Sequence, residues 1–297
     1  MTQGINYRVT GDDNRGQVHS YHYKPAPLFL NKTKHRVDVA GLKAVTTREA
    51  FKVEGSEIVS KFTIGMEVEK NTLHRGAVRE YELFCGFERD GSCGYEAVTH
   101  VLPLLPAGQW RTKVYDMMHK AEKIIDDRYS PSDRRCGGHI TIAVDGMSGD
   151  ELREAIRLNC GVILALFRKR LSNSYCNHNA TMRGAMDGNH INGYHHKYQL
   201  ALVKGSTLEF RLPSRFENVK QMMRRYELMY EVVNFSVNKP NGKHADLLKQ
   251  IRPLIVSMYG GDEAKADNIL RLAKEMREFI KTGIMTEEIR GYFNGSR

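Results

Sequence analysis

The sequence predicts an α+β fold with helices packed on one face of a mostly antiparallel sheet. Three observations lead there. The segments "SKFTIGMEVEK", "GYEAVTHVL", "GHITIAV", "HKYQLALV" and "TLEFRLP" alternate or run apolar at strand length, bounded by Gly, Pro, Asp or Ser. Long stretches between and after them repeat apolar residues at helical spacing. Finally, Lys204-Gly205-Ser206 between "YQLALV" and "TLEFRLP" is a hairpin-sized gap, which favours antiparallel neighbours over a parallel doubly wound sheet.

In chain order, residues 1–55 carry "YHYKPAPLFLNKTKHRVD", with prolines and repeated basic groups, and are expected to form a basic N-terminal arm or small appendage. Residues 56–240 form the main domain, and 241–297 a helical extension packed on that same domain. Within the domain, "TKVYDMMHKAEKIIDDRY" is a helix through Val114, Met117, Met118, Ala121, Ile124 and Ile125. "SGDELREAIRLNCGVILALFRKRL" opens on a capping box, Ser148 with Glu151, and its apolar centre predicts one buried helix. A second box, Ser214 with Glu217, is expected to start "FENVKQMMRRYELMYEVV". The helical methionines Met117, Met118, Met222 and Met223 read as core packing.

A hydrophobic content of 41% with 27% charged residues excludes wholesale disorder. The first thirty residues lack the apolar run of a signal peptide, and no segment reaches membrane-spanning length. The five cysteines are odd in number and irregularly spaced, which fits a reduced cytoplasm better than a disulfide framework. A net charge of +10 favours a polyanionic ligand, nucleotide or nucleic acid, although the excess is spread along the chain.

Successive side chains on a strand point to opposite faces. On "FTIGMEVE", Phe62, Ile64, Met66 and Val68 share one face, and Thr63, Gly65, Glu67 and Glu69 the other. On "HITIAV", His139 and Thr141 oppose Ile140, Ile142 and Val144; on "LEFRLP", Glu209 and Arg211 oppose Leu208, Phe210 and Leu212. One reading is the solvated face of an antiparallel sheet. The other is a platform of carboxylates held ionised by Mg²⁺ or Mn²⁺, with imidazole joining for Mn²⁺, substrate phosphates on the metals and Arg211 as a fork on a phosphate or carboxylate. Gly137-Gly138 before His139 would let a ligand approach the backbone closely.

In order, Glu-x-Glu, "DGSCGYEAVTH", "CGGHITIAV", "KRLSNSYCN" and "LEFRLP" resemble the amidoligase family, carboxylate-amine ligases with the glutamine synthetase catalytic fold. The resemblance runs from about Ile64 to Arg215, and "YHYKPAPLF" resembles the lead-in of phage amidoligase-like proteins. It implies metal ligands Glu67, Glu69, Glu96, His139 and Glu209, with His139 and Arg211 also on the nucleotide phosphates. It further implies Glu96 and Arg211 in catalysis, and Asp90, Ser92, Arg170, Asn173 and Tyr175 near the substrate. The activity implied is ATP-dependent: a substrate carboxylate attacks the γ-phosphorus of ATP, and an amine displaces phosphate from the acyl phosphate. The implied setting is a phage protein in the host cytoplasm, acting on amino acids, peptides, a cell-wall precursor or a modified nucleobase. Two departures stand out: the family's His-x-His is His139-Ile140-Thr141 here, and "GYHHKYQLAL" offers His195, His196 or Lys197 where the family often has arginine.

Two other functions compete. A ligase fold that has lost activity would serve as a basic nucleic-acid-binding or assembly factor, and a metal-dependent nuclease would use the same carboxylates without ATP. Lesser alternatives are a zinc site from Cys85, Cys93, Cys136 and His139, and a nucleophile-base pair in Cys176-Asn177-His178. His100 and His119 read as surface or satisfied core histidines.

Overall fold

The computed structural model describes residues 60–74, 83–90 (85–90 as backbone only), 92–99, 101–173, 175 and 200–296. The expected N-terminal arm, His100, Cys176-Asn177-His178 and His195 to Lys197 lie outside the described residues. Among those described, the chain is α+β, with an antiparallel sheet and eight α-helices. It divides into two compact units. The first comprises the described residues of 1–147, 205–207 and 214–223, and the second those of 148–204, 208–213 and 224–297.

In the first unit, β1 (Phe62–Lys70), β2 (Phe84–Asp90), β3 (Gly94–Thr99) and β5 (Ile140–Val144) line up in the order β2-β3-β1-β5, with the short β4 (Leu102–Pro103) on β1. The pairings β1–β3, β1–β4, β1–β5 and β2–β3 are all antiparallel. Strand β1 is the organiser. Its first half pairs with β4 and β5, and its second half with β3, through Glu67↔Val98 and Glu69↔Glu96. All nine residues of β1 are buried, so neither face of this strand is wet. The single helix read through Ile125 is split at Ala121 into α1 (Gln109–Lys120) and α2 (Glu122–Ile125), which bury Val114, Met118, Ile124 and Ile125 and leave Met117 half-buried.

In the second unit the Ser148–Glu151 capping box forms as expected and opens α3 (Gly149–Arg157). The single buried helix read from the sequence does not. The chain breaks at residues 158–160 and resumes as α4 (Gly161–Leu166). At the break, the Asn159 amide donates to Ser236 Oγ at 2.9 Å and its side-chain carbonyl faces His244 Nδ1 at 3.1 Å. The hairpin expected at Gly205-Ser206 forms between β6 (Ala201–Lys204) and β7 (Thr207–Phe210), with Gly205 at φ 63°.

Helix α5 (Val219–Asn238) starts later than its predicted box. Ser214 is in an antiparallel bridge with Gly137, and the Asn218 carboxamide caps the helix by accepting from Gln221 N–H at 2.9 Å. The remaining helices, α6 (His244–Met258), α7 (Glu263–Thr282) and α8 (Glu287–Phe293), make the C-terminal region helical as expected. Asp262 and Thr286 cap α7 and α8, and Gly283 at φ 78° closes α7.

Candidate metal centre

Antiparallel register builds the centre. Glu67 N–H donates to His139 O at 2.9 Å, which extends the β1–β5 ladder by one residue beyond Met66↔Ile140 and sets His139 opposite Glu67. Directly opposed residues share a face, as do alternate residues of one strand. Glu67, Glu69, Glu96, His139 and Thr141 therefore lie on one side of the first unit's sheet. Their exposures are 5%, 5%, 3%, 7% and 3%, so the solvated-face reading is excluded for this group.

The side chains converge. His139 Nδ1 lies 2.7 Å from Glu67 Oε2, and its Nε2 lies 3.6 Å from Glu69 Oε1. Against an ionised Glu67, Nδ1 is the protonated nitrogen, because a carboxylate can only accept. That leaves the Nε2 lone pair directed toward Glu69. A carboxylate that holds the far nitrogen of a histidine is the usual support of a metal-binding imidazole. Glu69 is fixed from its other side by Gly137 N–H, 2.5 Å from Oε2.

The two glycines before His139 have a different role from the one expected. A Cβ on Gly138 would meet Ser214 O at 2.4 Å and the Phe216 ring at 2.8 Å. The close approach is made by the chain itself, not left open for a ligand. Gly137 supplies the bridge to Ser214 and the N–H to Glu69.

Compared with protein-family models and with curated proteins, the chain matches none.

Residues outside this group sit as follows. Ser92 is half-buried in the β2–β3 turn, and Asp90 is the last residue of β2. In the second unit, Glu209 is fully buried, and both Lys204 Nζ and Arg211 Nη1 donate to it. Arg211 thus has a carboxylate partner within its own hairpin. Lys204 escaped the sequence reading, where it counted only as a turn residue, although a diagonal cross-strand neighbour of Glu209 is the signal that would have found it. Arg170 and Asn173 are half-buried around a short 3₁₀ turn (Arg168–Arg170), with Asn173 N–H on Arg170 O at 2.9 Å. Tyr175 is 49% exposed, and its N–H donates to Asn173 Oδ1 at 2.8 Å.

Cys93 and Cys136 are buried, with Cys136 Sγ 3.1 Å from Asn71 Oδ1. The described His/Cys/Asp/Glu side chains do not gather these thiols with His139 into a zinc-type cluster. His119 is exposed, as one of its two expected settings had it.

Proposed function

We propose that the chain is an ATP- and divalent-metal-dependent carboxylate-amine ligase of amidoligase type, built on a glutamine synthetase-like catalytic fold. One observation carries the metal part: Glu67 and Glu69, each 5% exposed, flank a single imidazole, with Glu96 directly opposite Glu69. Burying several carboxylates together costs several kcal/mol per ion unless positive charge compensates them, roughly. An oxygen-rich donor set with one imidazole suits Mn²⁺, and Mg²⁺ through the carboxylates.

In this reading Glu67, Glu69, Glu96 and His139 would hold divalent cations, and the resemblance adds Glu209 to the ligand set and Arg211 to the phosphates. The metal supplies charge neutralisation on the transferring phosphoryl group. The protein's own work is alignment. Gly137 N–H and His139 hold Glu69 and Glu67 in place before substrate arrives, so little reorganisation is left for the reaction. Arg211 withdraws charge from the equatorial oxygens as the substrate carboxylate attacks the γ-phosphorus, and an amine then displaces phosphate from the acyl phosphate. Asp90, Ser92, Arg170, Asn173 and Tyr175 are assigned to the substrate by the resemblance alone.

The test is calorimetric titration of Mn²⁺ and of ATP with Mg²⁺ into the protein, with a screen for ADP release on pooled carboxylates and amines. Glu67→Gln and Glu69→Gln are each expected to lower Mn²⁺ affinity by about tenfold or more. Cleavage of plasmid with Mn²⁺ in the absence of ATP would replace the ligase with a nuclease. Salt-sensitive nucleic-acid binding that ignores these variants, without ATP binding, would replace it with a degenerate ligase fold that binds nucleic acid.

A further inference from the structure

Asn71 follows the last residue of β1 and ties that strand to the segment entering β5 by three bonds. Its backbone N–H donates to Pro131 O at 2.9 Å, its side-chain amide donates to Asp133 Oδ2 at 2.8 Å, and its Oδ1 accepts from Cys136 Sγ at 3.1 Å. The partners fix which way the carboxamide points. A carboxylate only accepts, so the amide nitrogen faces Asp133 and the oxygen faces Cys136. The Arg135 guanidinium, and after it the Asn71 amide, hold the Asp133 carboxyl well below the usual carboxylate range, which keeps it an acceptor. Residues 133–136 are themselves a closed turn: Cys136 N–H donates to Asp133 O at 3.0 Å, and Arg135 N–H to Asp133 Oδ1 at 2.8 Å. Asn71 therefore grips a formed turn. On its other side there is no slack, because a Cβ on Gly94 would meet Asn71 O at 2.5 Å.

These bonds close a small ring at the candidate metal centre. From Glu69 the backbone runs two residues to Asn71, crosses to Cys136, passes one peptide to Gly137, and returns through the Gly137 N–H to Glu69 Oε2 at 2.5 Å. His139 lies two residues further along the same segment, with Nε2 3.6 Å from Glu69 Oε1. Any slip of residues 131–137 against the end of β1 thus turns the Glu69 carboxylate and changes its distance from the imidazole.

We propose that Asn71 is a positioning residue of this centre, whose carboxamide sets Glu69 and His139 relative to one another and so tunes divalent-cation affinity. The affinity half rests on the metal reading above; the positioning half rests on the ring of bonds. Asn71 acts through Gly137 and Glu69, not as a ligand. Alanine at this position removes both side-chain bonds. Aspartate sets two carboxylates against each other where an amide and a carboxylate now meet at 2.8 Å, and exchanging residues 71 and 133 together restores one amide facing one carboxylate.

The experiment titrates Mn²⁺ calorimetrically into the full chain and its variants, and follows hydrogen exchange in the peptide that contains Gly137. Asn71→Ala and Asn71→Asp should each lower Mn²⁺ affinity by about tenfold, the scale for losing the support of a metal ligand, and speed that exchange. Asn71→Asp combined with Asp133→Asn should bind Mn²⁺ more tightly than either single variant, a coupling that general loss of stability does not produce. Asn218→Ala, which weakens a helix cap in the same unit, should leave Mn²⁺ affinity unchanged. Parent-like Mn²⁺ affinity in Asn71→Ala overturns the control of the centre by Asn71 and leaves the metal reading in place. A double variant no better than the single ones reduces Asn71 to a structural role and overturns the proposal. A parent that binds no Mn²⁺ overturns the metal reading and the affinity half with it. Faster exchange at Gly137 in Asn71→Ala than in Asn218→Ala then leaves the positioning half standing, and equal exchange overturns that as well.

Discussion

Lys70, the last residue of β1, is fully buried, and all three of its ammonium donors are used: on Ile125 O at 2.6 Å, Asp127 Oδ1 at 2.7 Å and Phe216 O at 2.8 Å. Burial holds its ammonium below the ordinary lysine range, with the Asp127 bond opposing. It pins the end of the strand that carries Glu67 and Glu69. Replacing it with Met leaves two buried carbonyls and the half-buried Asp127 carboxylate without their donor, and a buried acceptor left unsatisfied costs roughly 1–3 kcal/mol. Urea denaturation of Lys70→Met should show that loss, and a loss below about 1 kcal/mol would remove the clamp from the account. In the sequence Lys70 reads as the polar stop of a strand. Its partners lie 55, 57 and 146 residues away, so no local pattern announces them.

At the scale of elements, two junctions decide how the helices are set. Gly161 opens α4, and a Cβ there would meet Ala273 O of α7 at 2.4 Å and Arg277 N at 3.0 Å. Both obstacles are backbone and cannot swing away. Gly161→Ala should therefore destabilise the fold by about 1–3 kcal/mol, the usual scale of overpacking, despite the better helix propensity of alanine. Thermal unfolding reads this directly. At α5 the cap is Asn218, and Asn218→Ala should cost about 1 kcal/mol. The Ser148 box was legible because the side chains of its two residues bond within the four-residue motif itself. The Ser214 box failed because Ser214 is drawn into a bridge with Gly137, 77 residues upstream, a pairing no four-residue motif encodes.

For the whole molecule, stability should respond to both protons and metal. His244, 8% exposed, has its pKa lowered to about 4, with burial the largest cause. Its folded value lies below its unfolded value, so the unfolded chain binds the proton more readily. Stability from this group is complete above about pH 6.5 and drains as pH falls toward 4, by roughly 3 kcal/mol at about 1.4 kcal/mol per unit. His244→Gln should flatten that part of the pH–stability curve, as seen in the difference between variant and parent. Mn²⁺ at about a hundred times its Kd should stabilise the protein by about 2.7 kcal/mol, and Glu69→Gln should abolish the gain.

The sequence by itself determined the α+β class, the strand segments and their alternation, and hence that Glu67 with Glu69, and His139 with Thr141, each share a face. Those follow from a two-residue repeat that the backbone imposes wherever a strand forms. Only the tertiary structure decided that this face is buried, that Glu67 and Glu69 flank one imidazole, that Lys70 is a clamp, and that the helix at Asn159 breaks. Each of these depends on which distant segment comes to cover a given side chain, and spacing along the chain carries no record of that.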